Sequence, residues 1–213
     1  MTFDIQSARK DLDEAFVENS EVKLLKILKN NSFMFYFLYS RRYGIQPNFK
    51  EISFGGNYRC DFCWLNDNSD GPEWVLVEIE KPRMKLFTAK KEPSAELNHS
   101  IEQVKSWKRY FKNNPSEKRR IFGAVARFRY ILVAGCKDDW EKKHAALWRV
   151  DHNEDSKIEI RSSNIFYRSL EFYTNHPDEF WSFENNPKSL SKKDLQPFCK
   201  NDPIINNYRN ILN

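Results

Sequence analysis

Apolar positions recur at helical spacing over residues 6–18 and 20–30, which predicts two helices at the start of the chain. In the second, Val22, Leu25, Ile27 and Leu28 form the stripe, Ser20 is placed to cap and Glu21 stands in the first turn. Phe33 to Tyr39 is dense in aromatics and lacks a polar face, so it reads as a buried helix or short turn rather than a membrane-surface helix. The period then shortens to two. Phe49–Phe54, Tyr58–Leu65 and Trp74–Lys81 predict three antiparallel strands, turning at Gly55-Gly56 and again within Asn66–Pro72.

Ser94 opens the next helix, which runs to about Asn113. Leu97, Ile101, Val104 and Phe111 recur on its core face, and Gln103, Trp107 and Tyr110 lie on an adjoining stripe. Lys118-Arg119-Arg120 reads as a polar loop. Phe128–Gly135 is a nearly continuous apolar run, as in a central strand buried on both faces. Helices over 140–150 and 165–173 flank a short alternating strand at 157–161. The tail carries Pro177, Pro187 and Pro197 among many Asn and Ser residues, and reads as an extended or partly ordered arm. The division expected is a helical leader over 1–40 packed on the core, a principal domain over 41–175 and a C-terminal arm over 176–213.

Composition narrows the class. A chain of 213 residues with 40% hydrophobic and 15% aromatic content is a folded protein, long enough for one domain with a real core. A net charge of +5 is compatible with a polyanion partner without demanding one. No apolar run reaches membrane-spanning length and the first residues lack a signal-peptide pattern, so a cytoplasmic location and no membrane partner are expected. Cys60-x-x-Cys63 invites zinc. However, positions three apart on a regular strand face opposite sides, and no second ligand pair completes a site. Free thiols are expected.

The chemistry lies in Trp74-Val-Leu-Val-Glu-Ile-Glu-Lys-Pro82. Alternation puts Glu78 and Glu80 on one face and Val75, Val77 and Ile79 on the other. Two carboxylates on an otherwise apolar strand are costly to desolvate unless paired or metal-bound. If the preceding turn closes near Asn68–Gly71, Asp61 lies opposite Glu78. Three oxygen-bearing acids on one face suit Mg²⁺ or Mn²⁺. Glu51 shares that face only on an uncertain register, and His99 reads as a helix-surface or packing residue rather than a ligand. No Ser-His-Asp arrangement, Gly-rich phosphate loop or helical His pair is present.

An Asp followed by Glu-x-Glu-Lys on the next strand resembles the PD-(D/E)XK nuclease superfamily. A closer resemblance rests on four pieces in order: Phe54–Phe62, Trp74–Pro82, Leu86–Thr88 and Glu96–Trp107. Together they resemble the nuclease domain of the Shedu anti-phage defence proteins over roughly residues 40–175.

The resemblance implies a restriction-endonuclease-like core with a central mixed sheet flanked by helices. It also implies metal-dependent cleavage of DNA, with RNA left open, and a homo-oligomer, a tetramer being the state suggested. Asp61, Glu78 and Glu80 would hold the metal. Glu80 stands where the superfamily has lysine, so either Glu80 replaces that lysine or a twist at Pro82 brings Lys81 round. Gln103 matches a polar helix position beside the active site. Arg59, Arg83, Lys85, Lys90 and Lys91 are candidates for a phosphate track. The departure at Glu80 keeps a second reading open: a catalytically degenerate nucleic-acid-binding or sensing subunit of a defence assembly.

Overall fold

The computed structural model describes residues 3–40, 45–66 and 68–212. The expected boundary at 40/41 and Asp67 of the second turn lie at or outside those limits.

Helices α1 (Ile5–Val17) and α2 (Glu21–Asn30) form as periodicity predicts. Asp4 Oδ1 accepts the Ser7 amide and Ser20 Oγ accepts the Lys23 amide, satisfying one free N–H at each start. The aromatic run becomes a buried 3-10 helix, Ser32–Leu38. Strands β1 (Asn48–Phe54), β2 (Tyr58–Asn66) and β3 (Glu73–Ile79) form an antiparallel meander. Then follow α3 (Ala95–Asn113), α4 (Pro115–Phe122), β4 (Arg127–Val133), α5 (Lys137–Trp140), α6 (Lys143–Ser156), β5 (Ile158–Arg161) and α7 (Ile165–Asn175). A 3-10 turn at Pro177–Phe180, α8 (Trp181–Glu184), α9 (Lys192–Asn201) and α10 (Pro203–Arg209) complete the described chain.

The sheet order is β1-β2-β3-β4-β5, with β3, β4 and β5 parallel, so the α/β class with a mixed sheet flanked by helices is what the chain adopts. Every residue of β3 is buried. Trp74 and Leu76 join a core with Leu97, Val104 and Trp107 of α3 and with Leu195 of α9. Val75, Val77 and Ile79 join a second core with Leu12 of α1, Leu24 and Leu28 of α2, Phe35, and Phe166 and Leu170 of α7. The leader helices therefore share one face of the sheet with α7 and the segment after it. Each fully buried side chain of this kind contributes about 1.5–3 kcal/mol.

Two segments differ from expectation. Lys118-Arg119-Arg120 lies in α4, where Pro115 occupies the first turn, a position that needs no amide donor. The tail is largely helical rather than extended. Asp194 Oδ2 accepts the Ser191 amide at 2.8 Å and stabilises the start of α9 despite Pro197 inside it. Leu190 bridges Phe49, and Phe198 of α9 packs on the Phe49 ring with centroids 5.2 Å apart, so α9 rests on β1.

Alternation also breaks once. Phe49 and Ile52 of β1, three residues apart, share one core, as do Cys60 and Cys63 of β2. The β1–β2 register would pair Glu51 with Asp61, but the ladder skips that pair, and Glu51 has φ of +54°. The faces switch there. Both cysteines consequently point into the same core, against the regular-strand expectation, and both are free thiols.

Candidate active site at the fork between two strands

The β2–β3 ladder runs from Asn66–Glu73 to Phe62–Val77 and stops. Beyond that point β2 stays with β1, while β3 continues beside β4 to Ile79–Val133. The hairpin tip is held away from β3 by packing on α3. Phe54 contacts Trp107 and Phe111, and Gly55, at φ of +58°, sits so close to Tyr110 that a Cβ would fall 2.5 Å from the ring. Asp61 and Glu78, the next pair in register, occupy the fork.

Asp61 is only 6% exposed and Glu78 only 7%. Asp61 Oδ2 accepts the Ile79 amide at 2.9 Å. Helix α3 addresses the end of β3 along one stripe, 96–100–103. Gln103 donates its amide to Glu78 Oε1, Ser100 donates its hydroxyl to Glu80 Oε1 at 2.6 Å, and Lys81 Nζ lies 3.7 Å from Glu96 Oε1. Glu78 and Glu80 thus share a face, as alternation requires. Lys81 is brought to the same helix, which a regular strand would not do. Glu78 Oε2 is buried without a hydrogen-bond partner among the described residues.

Burial pushes the Asp61 carboxyl up to about 7. The Ile79 amide and the Arg59 guanidinium oppose that shift, while the Glu21 and Glu80 carboxylates add to it. Burial likewise raises Glu78 well above the ordinary carboxylate range, with Asp61 and Glu80 contributing by repulsion. Glu21 is raised too, by burial and by Glu80.

Glu21, at the N-terminus of α2, is thus a fourth acid in the cluster, and the sequence reading did not single it out. It lies far from β3 in sequence and carries no signal beyond its helix-start position. Ser100 was missed as well, although it falls on the Gln103 stripe. Among the described residues, no three His, Cys, Asp or Glu side chains stand in an arrangement that could hold a metal ion. The three carboxylates are gathered at the fork without converging, because each is turned to its own donor: Ile79, Gln103 or Ser100. The donor set is nonetheless all oxygen, underneutralised and left with one orphaned buried oxygen, which fits a hard divalent cation.

The basic candidates separate. Arg59 is exposed beside the fork, with Nη1 4.0 Å from Glu51 Oε1, and its charge is felt by Asp61 and Glu21. Glu51 itself turns outward to Lys29 at 3.0 Å. The Arg83 amide bonds Asn19 of the α1–α2 turn at 2.8 Å. Lys85 and Lys91 line a different groove, with Lys142 and His144, and Lys90 is exposed on the adjoining turn. His99 is exposed on α3, as expected. No described helix is long and apolar enough to cross a membrane.

No curated protein sequence matches. Among solved structures, the restriction endonuclease FokI aligns with 73% of this chain at 15% identity and a TM-score of 0.36, and the match spans 28% of that enzyme's length. The family described as "Shedu protein SduA, C-terminal" matches residues 18–164, a span that takes in α2, the fork and α3. By that match over more than half its length, the chain belongs to the Shedu family.

Proposed function

We propose that this chain is a metal-dependent endonuclease that hydrolyses DNA phosphodiester bonds in anti-phage defence. The observation that carries the reading is the pair of buried, mutually repelling carboxylates at the strand fork, Asp61 and Glu78, with Glu78 Oε2 unpartnered. Such an arrangement is costly in a merely structural role.

Asp61, Glu78 and Glu80 would hold Mg²⁺ or Mn²⁺. When bound, that ion lowers the pKa of a water and offsets phosphate charge. The protein's part is positional. The Ile79 amide fixes the Asp61 carboxylate, and Gln103 engages one oxygen of Glu78 and leaves the other free. Glu80, half-buried, either joins the ligands or takes a proton from the attacking water. Lys81 and Arg59, exposed at the rim, face the phosphate, with Arg83, Lys85, Lys90 and Lys91 as more distant contacts. A cytoplasmic homo-oligomer, with a tetramer suggested by the family resemblance, completes the proposal.

A second reading is a nucleic-acid-binding or sensing subunit without hydrolysis. It is favoured by the glutamate at position 80 and by the lack of convergence of the three acids. Plasmid cleavage separates the two. The nuclease reading expects nicking or cutting in Mg²⁺ or Mn²⁺ that stops with EDTA and is lost in Asp61→Ala and Glu78→Ala. Cleavage that persists in EDTA, or in either variant, rules the site out.

A further inference from the structure

A second charged cleft lies at the same end of the parallel strands as the fork. It occupies about 560 Å³ over the carboxyl end of β5, between α6 and α7, and is lined by Lys137, Arg149, Arg161 and Arg168, with Glu171 as the acid among its lining residues. Arg161 pairs across the sheet with Val133, and Val133 with Ile79. The cleft therefore begins two strand spacings, about 10 Å, from the residue between Glu78 and Glu80. The rim between them is tied together: the Lys137 amide donates to Asn164 Oδ1 at 2.7 Å and the Ser163 amide to Gly135 O at 2.9 Å.

Two of the four cations form no ion pair within 4 Å among the described residues. Arg149 is half-buried with its guanidinium over the Trp140 ring, and the exposed Arg168 sits over Phe37. Burial and the like charge of Arg161 push Arg149 down, and the Glu141 carboxylate opposes them in part. Lys137 and Arg161 do have acids, Glu141 and Glu159.

We infer that this cleft holds the phosphodiester backbone of the nucleic-acid strand whose scissile phosphate lies at the fork. Resting on the nuclease reading, the inference assigns a substrate track across the ends of β3, β4 and β5. A phosphate recurs about every 3.4 Å of axis on each strand, so about 10 Å reaches roughly three phosphates along.

The test measures binding of a short fluorescein-labelled duplex in Ca²⁺, across a salt series. Lys137→Gln/Arg168→Gln removes two exposed charges from the cleft. Arg119→Gln/Lys200→Gln removes the same charge from the basic cleft between α4 and α9, near the opposite edge of the sheet. The cleft variant should lose affinity about tenfold at moderate salt and flatten the log–log salt slope by one to two units, with the control within about twofold of wild type. Unaltered binding by the cleft variant, or an equal loss in the control, overturns the track while wild-type cleavage leaves the nuclease reading standing. A wild-type protein that neither binds nor cleaves defeats both.

Discussion

Asp61 Oδ2 accepts the backbone amide of Ile79 at 2.9 Å. The Glu80 amide donates to Val133 O in β4, so by alternation the Ile79 amide faces β2. Had the β2–β3 ladder continued in register, that amide would have met the Cys60 carbonyl. The strands have parted there, and a carboxylate replaces the missing backbone acceptor. One hydrogen bond thus satisfies a buried amide and pins an acid beside Glu78.

The first prediction is stability against pH. Asp61 and Glu78 are raised in the folded protein, so at intermediate pH the native state binds more protons than the unfolded chain. The Asp61 contribution is fully present below pH ~4 and is lost as pH rises through its value near 7, and the raised Glu78 acts in the same direction. In EDTA, the wild type should lose up to about 4 kcal/mol over that window. Asp61→Asn should flatten the profile and melt higher than wild type at pH 8. A wild-type profile that rises from pH 4 to 7, with no gain in the variant, contradicts the assigned burial.

Gln103 is expected to act through Glu78. Gln103→Ala leaves both Glu78 oxygens without a protein donor, so Mn²⁺ affinity should fall about 10- to 100-fold. Duplex affinity in Ca²⁺ at saturating metal should stay near wild type. Calorimetric Mn²⁺ titration distinguishes this from general damage, and an unchanged metal affinity would remove Gln103 from the site.

Glu80 and Lys81 should separate. Glu80→Gln keeps size and removes charge, so it should slow cleavage strongly and raise the metal concentration required, with little change in DNA affinity. Lys81→Ala should weaken binding and lower the salt slope by about one unit or less. Indistinguishable behaviour of the two variants would mean that the rim and the metal side have been assigned wrongly.

Glu21 enters from the leader. Removing its charge relieves repulsion on Asp61, so Glu21→Gln should shift the pH–stability midpoint downward in metal-free protein. A midpoint that does not move would place Glu21 outside the cluster.

Much of this was legible before the structure. The register that sets Asp61 against Glu78 follows from turn length and alternation, and the Gln103 stripe follows from helical periodicity. What escaped was non-local or irregular. Glu21 and Arg168 reach their sites through tertiary packing of helices far from β3 in sequence. The face switch at Glu51 and Asp61 needs a residue at positive φ, which no β-propensity announces. Helices α4 and α9 were hidden by polar composition, although Pro115 in a first turn and the Ser191–Asp194 pair were signals that could have revealed them.

The central claim is that Asp61, Glu78 and Glu80 together hold a divalent cation. Anomalous scattering from crystals soaked in Mn²⁺ tests it most directly. The account predicts one strong peak at the fork, coordinated by oxygens of Asp61 and Glu78, with Glu80 drawn toward it, and the peak lost in Asp61→Asn. A fork without a peak at saturating Mn²⁺, or a peak that persists unchanged in that variant, would contradict it.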